Sequence, residues 1–346
     1  MSASAASDRR YPRDCWYVAA TSDEVGPHLI SRRVLDDELA LYRRQDGSVV
    51  ALQDRCPHRG YPLSQGRLAD DRVVCGYHGW EFDGSGACVR VPSQAHVPFG
   101  ACVASFPVRE EPPFVWVWTG ATARAGRRSP PEVSWLRNDR YPRWRGSIEI
   151  DANFMLLHDN ILDLTHLPFV YPEIAPLPLA ETPPPLEVEV TESSVSYHRT
   201  FPASCLAKWQ SSATGIPPDA ICEQDESGQF VSPALWVGGW SFRPPGVDAA
   251  SALRLFMAYA FTPQGPSRTR VVWHGARDFA TADDAAGHIL ERLFSDVFRR
   301  RKALLEAVER HWRAGPTWRE ANVTADAAAL RARKIVAAMC DEEQGM

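Results

Sequence analysis

The chain has 346 residues, 45% of them hydrophobic and 23% charged, with a formal net charge of −5. That length leaves room for two domains and a substantial core, and the slight negative charge excludes a general attraction to nucleic acid. No run approaches the ~20 apolar residues needed to span a bilayer, Met1 to Arg10 lacks the apolar stretch of a secretory signal, and the eight Cys are not spaced as a disulfide framework. A cytoplasmic protein in a reducing compartment, with no membrane or nucleic-acid partner, is expected.

Residues 1–14 read as a flexible N-terminus. From Trp16 to about Trp118, short apolar runs alternate with Gly, Asp and Pro turns, as in Glu38-Leu39-Ala40-Leu41-Tyr42 before Asp46-Gly47. This pattern predicts an all-β domain over 15–120. Two elements inside it stand out. Cys56-Pro57-His58 follows the strand-like Val49-Val50-Ala51-Leu52, and Cys75-Gly76-Tyr77-His78 follows Arg72-Val73-Val74. Each supplies one thiolate and one imidazole. Together they make the two-sulfur, two-nitrogen set of a Rieske [2Fe–2S] cluster, with Cys on one iron and His on the other. Zinc also accepts Cys₂His₂, but zinc fingers pair Cys with Cys and His with His in each short loop, whereas both loops here are mixed. The expected cofactor is therefore the [2Fe–2S] cluster, bound by Cys56, His58, Cys75 and His78, and the expected chemistry is single-electron transfer.

Residues 121–143 read as a linker and 144–346 as a second domain. Gly146 to Ile150 predicts a strand, and Phe154 to His166 a helix with Leu157, Ile161 and Leu164 on one side. Leu186 to Phe201 alternates like paired strands, Pro202 to Pro233 reads as loop, and Leu253–Phe261 and Arg268–Trp273 read as strands. Thr281 to Arg313 and Ala325 to Met339 predict two closing helices. Strands followed by packed helices imply an α+β domain. Trp209, Trp236 and Trp240 would suit an aromatic pocket, although Trp is more often core.

The segment Asp159-Asn160-Ile161-Leu162-Asp163-Leu164-Thr165-His166-Leu167-Pro168-Phe169-Val170 resembles the signature of Rieske non-haem iron oxygenase α subunits, of the type that includes vanillate O-demethylase. The resemblance runs from Trp16-Tyr17 to the last helix. It implies a Rieske domain, a helix-grip (START-like) catalytic domain, a head-to-tail trimer and a mononuclear Fe(II) held by two His and one carboxylate. Carried over, His166 would be an iron ligand, and Asp163 would bridge it to the partner subunit's His78. On a helix, Asp163 and His166 would share a face at i and i+3, and a carboxylate can orient a ligating imidazole.

The other two ligand positions depart from the family. The second His would fall at Tyr171, and the carboxylate, in the long C-terminal helix, at Arg301. Phenolate favours Fe(III), and a guanidinium has no lone pair to give. His158 would lie about 12 Å from His166 along one helix. Asp296 and Glu306 are each five residues from Arg301 and off its face; His274, on its strand, and Asp278 just beyond it are further candidates to face the cavity, although such a His is more often a core or edge residue. Two functions follow as expectations. The first is a Rieske-type oxygenase component that hydroxylates or O/N-demethylates a small aromatic organic substrate with O₂. The second is an electron-transfer or structural subunit without a working mononuclear iron. No Gly-x-Gly-x-x-Gly fingerprint follows a strand, so electrons should come from a separate NAD(P)H-dependent flavin reductase or ferredoxin. The assembly should be a homotrimer, or a hetero-oligomer with a related α subunit.

Overall fold

The structure, a computed structural model, describes residues 10–180, 182–314 and 319–345. The expectation of flexibility over 1–14 therefore falls mainly outside the described residues. Of those described, Arg13 pairs with Asp37, and Asp14 with Arg124. The described chain divides into two compact units. One is Pro12–Glu132, and the other holds Val133 onward together with Arg10 and Tyr11.

The first unit is all β, in three small antiparallel sheets. Trp16–Thr21 and Val108–Glu111 flank Phe114–Trp118, which is buried at every residue and so carries an unbroken apolar run. A four-stranded sheet joins Ile30–Val34, Asp37–Arg43, Val49–Gln53 and Ser105–Phe106. The other joins Arg67–Ala69, Arg72–Val74, Glu81–Phe82 and Cys88–Arg90. Tyr42, Leu52, Leu63, Val73 and Phe82 pack into one core, and Cys56 and Cys75 belong to it. Between the two units' main sheets, the stretch expected as linker contains two short 3₁₀ turns, Thr122–Arg127 and Ser134–Arg137.

The second unit is built on a seven-stranded antiparallel sheet. Its strands lie in the order Arg143–Ile150, Thr269–Arg277, Leu253–Pro263, Leu235–Arg243, Ile221–Ser232, Val195–Cys205 and Glu187–Val190. Five helices accompany it: α1 (Phe154–Leu162), α2 (Leu167–Val170), α3 (Lys208–Thr214), α4 (Asp284–Ala314) and α5 (Ala327–Gln344). The α+β expectation holds. On α4, Leu290, Phe294, Val297, Arg301 and Leu305 are buried at helical spacing, so one stripe faces the protein. Arg301 stands in that stripe.

Two expectations fail. Pro202 to Pro233 is not loop: it contains the end of one strand, α3, and the twelve-residue strand Ile221–Ser232. The inward residues of that strand are Cys222, Gln224, Glu226, Gly228 and Phe230. The strand alternates in burial but not in polarity, so its period was invisible to a hydrophobic pattern. The helix expected over Phe154 to His166 breaks at Asp163, which takes an extended φ of −128°. Its carboxylate accepts from the Thr165 N–H and Oγ1, both at 2.9 Å. This local turn competes with continuation of the helix. Asp163 and His166 are therefore not on one helical face, and the helical distance from His158 to His166 does not apply.

Candidate functional site

The two ligand loops of the first unit are built to one plan. The Cys56 N–H donates to the Tyr61 carbonyl (2.9 Å), and the Gly60 N–H returns to the Cys56 carbonyl (2.8 Å). The Cys75 N–H donates to the Trp80 carbonyl (2.8 Å), and the Gly79 N–H returns to the Cys75 carbonyl (3.0 Å). Closing each loop needs a left-handed residue four places after the Cys. Gly60 and Gly79 supply it, with φ of 72° and 70°.

This plan brings like ligands together. The Cys56 and Cys75 thiols are buried and adjacent, and burial, with Cys75 alongside, pushes the Cys56 thiol up to about 11. The backbone N–H groups of His58 and Arg59 point at the Cys56 sulfur and oppose that rise. The imidazoles of His58 and His78 lie nearer the surface, with ring centroids 4.4 Å apart. Trp80 stacks on His58 at 4.9 Å, and Tyr77 lies against His78 at 3.9 Å. Burial and the neighbouring His78 lower the His58 pKa. The His58 Nδ1 atom is buried without a hydrogen-bond partner. A sulfur pair beneath and a nitrogen pair above, with one nitrogen orphaned, fit a two-iron cluster rather than a single ion.

The second constellation lies in the other unit. His166 Nδ1 is 2.9 Å from the Asp163 carbonyl, and its Nε2 is 3.3 Å from Asn160 Nδ2. The backbone of Asp163, not its carboxylate, orients this ring. Burial and the charge of Arg301 lower the His166 pKa to about 4. The Tyr171 ring stands 5.9 Å from His166, edge to face. Tyr171 is fully buried, and burial raises its pKa against the opposing charges of Arg301 and Arg300 and the approach of the Arg301 guanidinium to its hydroxyl. Arg301 is only 3% exposed. Its guanidinium lies over the rings of Phe298 (4.8 Å) and Tyr259 (5.6 Å), and its Nε and Nη1 lack hydrogen-bond partners.

These residues do not fit a mononuclear iron. The carboxylates in question are engaged elsewhere: Asp159 by Arg333, Asp278 by the Arg254 N–H, Asp296 by Arg299, and Glu306 by Lys302 and the Asp151 N–H. His158 is a core histidine, fully buried, with Nε2 2.9 Å from the Pro233 carbonyl. His274 is buried in the strand Thr269–Arg277. Among the described residues, no three His, Cys, Asp or Glu side chains gather about one ion.

Tyr197, Arg199, Glu226 and Tyr259, which the sequence did not single out, complete the site together with Trp236, Trp240 and Arg301. A cavity with about 380 Å³ of empty space, partly open to solvent, is lined by Tyr197, Glu226, Trp236, Trp240, Tyr259 and Arg301, among others. Glu226 faces Arg199 across neighbouring strands, with Oε2 and Nη1 3.6 Å apart, and both residues are 2% exposed. Burial pushes the Glu226 carboxyl up to about 7, against the opposing pull of Arg199 and the Tyr197 hydroxyl. Trp209 stands behind this wall, edge-on to Trp240 at 5.9 Å. The only prior signal for Glu226 was its place in an unrecognised strand.

The Rieske [2Fe-2S] domain model matches residues 15–107, and the vanillate O-demethylase oxygenase C-terminal domain model matches residues 150–342. The toluene-4-sulfonate monooxygenase system iron-sulfur subunit of Comamonas testosteroni is 31% identical over 96% of this chain and 98% of its own length. A vanillate O-demethylase oxygenase subunit of a Pseudomonas species is 27% identical over 96% of each chain. The crystal structure of dicamba monooxygenase bound to 3,6-dichlorosalicylic acid superposes with a TM-score of 0.91 at 27% identity, covering 96% of this chain and 99% of that one. The chain belongs to the Rieske oxygenase family, as a Rieske [2Fe–2S] domain followed by a vanillate O-demethylase-type oxygenase domain.

Proposed function

We propose that this chain is the oxygenase component of a Rieske system, reduced by a separate protein and acting on a small aromatic compound bound in the cavity of its second unit. The observation that carries the reading is the paired arrangement of Cys56 with Cys75 and of His58 with His78, each within a loop of the same hydrogen-bond plan. A Rieske cluster supplies one-electron transfer at a potential raised by its neutral His ligands. Cys56, Cys75, His58 and His78 would hold it. The buried sulfurs would shield their side of a bound cluster from water, while the more exposed imidazoles would give its electron an outlet.

The electron donor is a separate NAD(P)H-dependent flavin reductase or ferredoxin, in the cytoplasm. The assembly is a trimer, or a hetero-oligomer with a related α subunit, in which Asp163 links the partner subunit's His78 to His166. The relatives act on toluene-4-sulfonate, vanillate and dicamba by their names. O-demethylation or hydroxylation of a ring of that size suits the aromatic walls made by Trp236, Trp240 and Tyr259. No oxygen step is assigned to His166, Tyr171 and Arg301. Those residues favour a second reading, in which this chain passes electrons to a related subunit with a complete iron centre.

Reconstitution with a flavin reductase and NADH tests the proposal. The reduced protein should show the Rieske electron paramagnetic resonance signal, and a methoxylated benzoate should be demethylated with O₂ uptake. A signal without any product, restored by adding a related α subunit, would select the second reading. Absence of the signal would sink both.

A further inference from the structure

The buried guanidinium of Arg301 is the least expected group in the second unit. Arginine keeps its proton at any accessible pH, so it cannot escape burial by going neutral. Removing such a charge from water is costly unless a partner repays it. The surroundings repay little. Two aromatic faces, Phe298 and Tyr259, flank it. The Tyr259 hydroxyl is directed at the Met257 sulfur, 2.9 Å away, and together with Tyr171 offers the guanidinium only neutral phenol oxygens, no anion. Two of the guanidinium nitrogens donate to nothing. Glu226 lines the same cavity, but its ion pair is with Arg199. Arg300, the next residue, points elsewhere, to Glu173 and the Val170 carbonyl.

The position of this charge is as informative as its isolation. Arg301 occupies the helix position at which the family signature implies a carboxylate ligand, and its charge acts on His166, the one implied ligand present. A fixed positive group therefore lies within electrostatic reach of His166, at the chain position the family gives to its carboxylate ligand. The cavity against it is walled by Trp236, Trp240, Tyr259 and Phe294.

We propose that Arg301 takes the place of the mononuclear metal, so that the cavity is a metal-free pocket that receives a single-ring aromatic compound through its anionic group. The anion completes the hydrogen bonds of the guanidinium and offsets the cost of its burial. The ring stacks among the aromatic walls. The inference rests on the cavity being the ligand pocket of a Rieske component and, since a metal-free pocket cannot activate O₂, it goes with the second reading, in which a related subunit carries the oxygen chemistry.

Two measurements on the full-length, cluster-loaded protein test it. The first compares iron with acid-labile sulfide. Equal amounts are expected, because all iron then belongs to the cluster, and iron in excess of sulfide overturns the proposal. The second titrates tryptophan fluorescence with 4-methylbenzoate, toluene-4-sulfonate and the neutral 4-methylbenzamide. At least one of the anions should bind tighter than the amide by about tenfold or more, the scale of a hydrogen bond to a charged group. Arg301→Gln should erase that preference, and Arg301→Lys should keep part of it. Equal binding of anion and amide, or no binding of either anion, overturns the proposal. Both wild-type comparisons stand if a variant fails to fold. Loss of the Rieske signal would count against the family function instead, so the two failures are distinct.

Discussion

Arg301 and Tyr171 set this chain apart residue by residue. One carries a charge that cannot be discharged, and the other a phenol whose proton is held by burial. Restoring an imidazole and a carboxylate at these places, as Tyr171→His with Arg301→Asp, should create a divalent-metal site with His166. Added Co(II) should then give visible d–d bands that the wild type lacks. His158 offers a separate test of residue-scale electrostatics. Fully buried among Phe154, Phe230 and Phe261, its pKa is lowered from 6.5 to about 4 by desolvation. The folded state then holds fewer protons on this group than the unfolded chain between those values. Its contribution is complete above pH 6.5 and is lost as pH falls toward 4. At order of magnitude the loss is about 3 kcal/mol. His158→Phe should be less stable than wild type at pH 7, for want of the bond to Pro233, and the gap should narrow on acidification. Chemical denaturation across that range measures it.

At the scale of elements, the ligand loops and the helices differ in what holds them. Each loop is closed by two backbone hydrogen bonds and a left-handed glycine, so its shape is local. The helix pair α1 and α5 is held by a buried side-chain clamp. Arg333, whose side chain is 8% exposed, binds Asp159 through Nε and Nη2, and also pairs with Glu320. Burial raises the Asp159 pKa toward about 6 against the pull of Arg333. The close contact with a cation of raised pKa points to the ionised pair at neutral pH. Arg333→Ala strands Asp159 in the interior. It should cost about 3–5 kcal/mol, the range for breaking a buried pair, seen as a lower midpoint in thermal unfolding. The cluster spectrum should not change.

At the scale of the whole molecule, the electron donor and the pocket lie in separate units, and the proposed route between them runs through an assembly. Asp163 is its candidate bridge. Within one chain its carboxylate is used by Thr165 while its carbonyl steers His166. Asp163→Asn should leave the cluster spectrum and the oligomer unchanged. In the Tyr171→His, Arg301→Asp variant loaded with Fe(II), which gives the electron an acceptor beside His166, it should slow ligand-dependent reoxidation of the reduced cluster, followed by stopped flow, by about ten- to a hundredfold, the scale seen when an outer-shell partner is lost. No change in that rate would assign Asp163 to the turn alone.

Much of this protein was legible in its sequence, because the determinants were local. The proposed cluster ligands sit in two short loops, and both the Cys and His types and the Gly four places after each Cys are visible in the chain. The strand-rich first unit, the α+β class of the second and the long helix that became α4 follow from residue periods. The departures at Tyr171 and Arg301 were visible too, once the signature was aligned. What only the tertiary structure decided were the consequences of non-local pairing. The strand Ile221–Ser232 exists because its neighbours pair with it on both sides, although its inward face is polar. Glu226 and Arg199, 27 positions apart, become cross-strand partners by register alone. The break at Asp163 depends on a side-chain turn that helical spacing does not reveal. A sequence shows that Arg301 carries a charge. Whether that charge meets water, a carboxylate or an aromatic cavity depends on which distant side chains fold around it, and here they leave it a cavity.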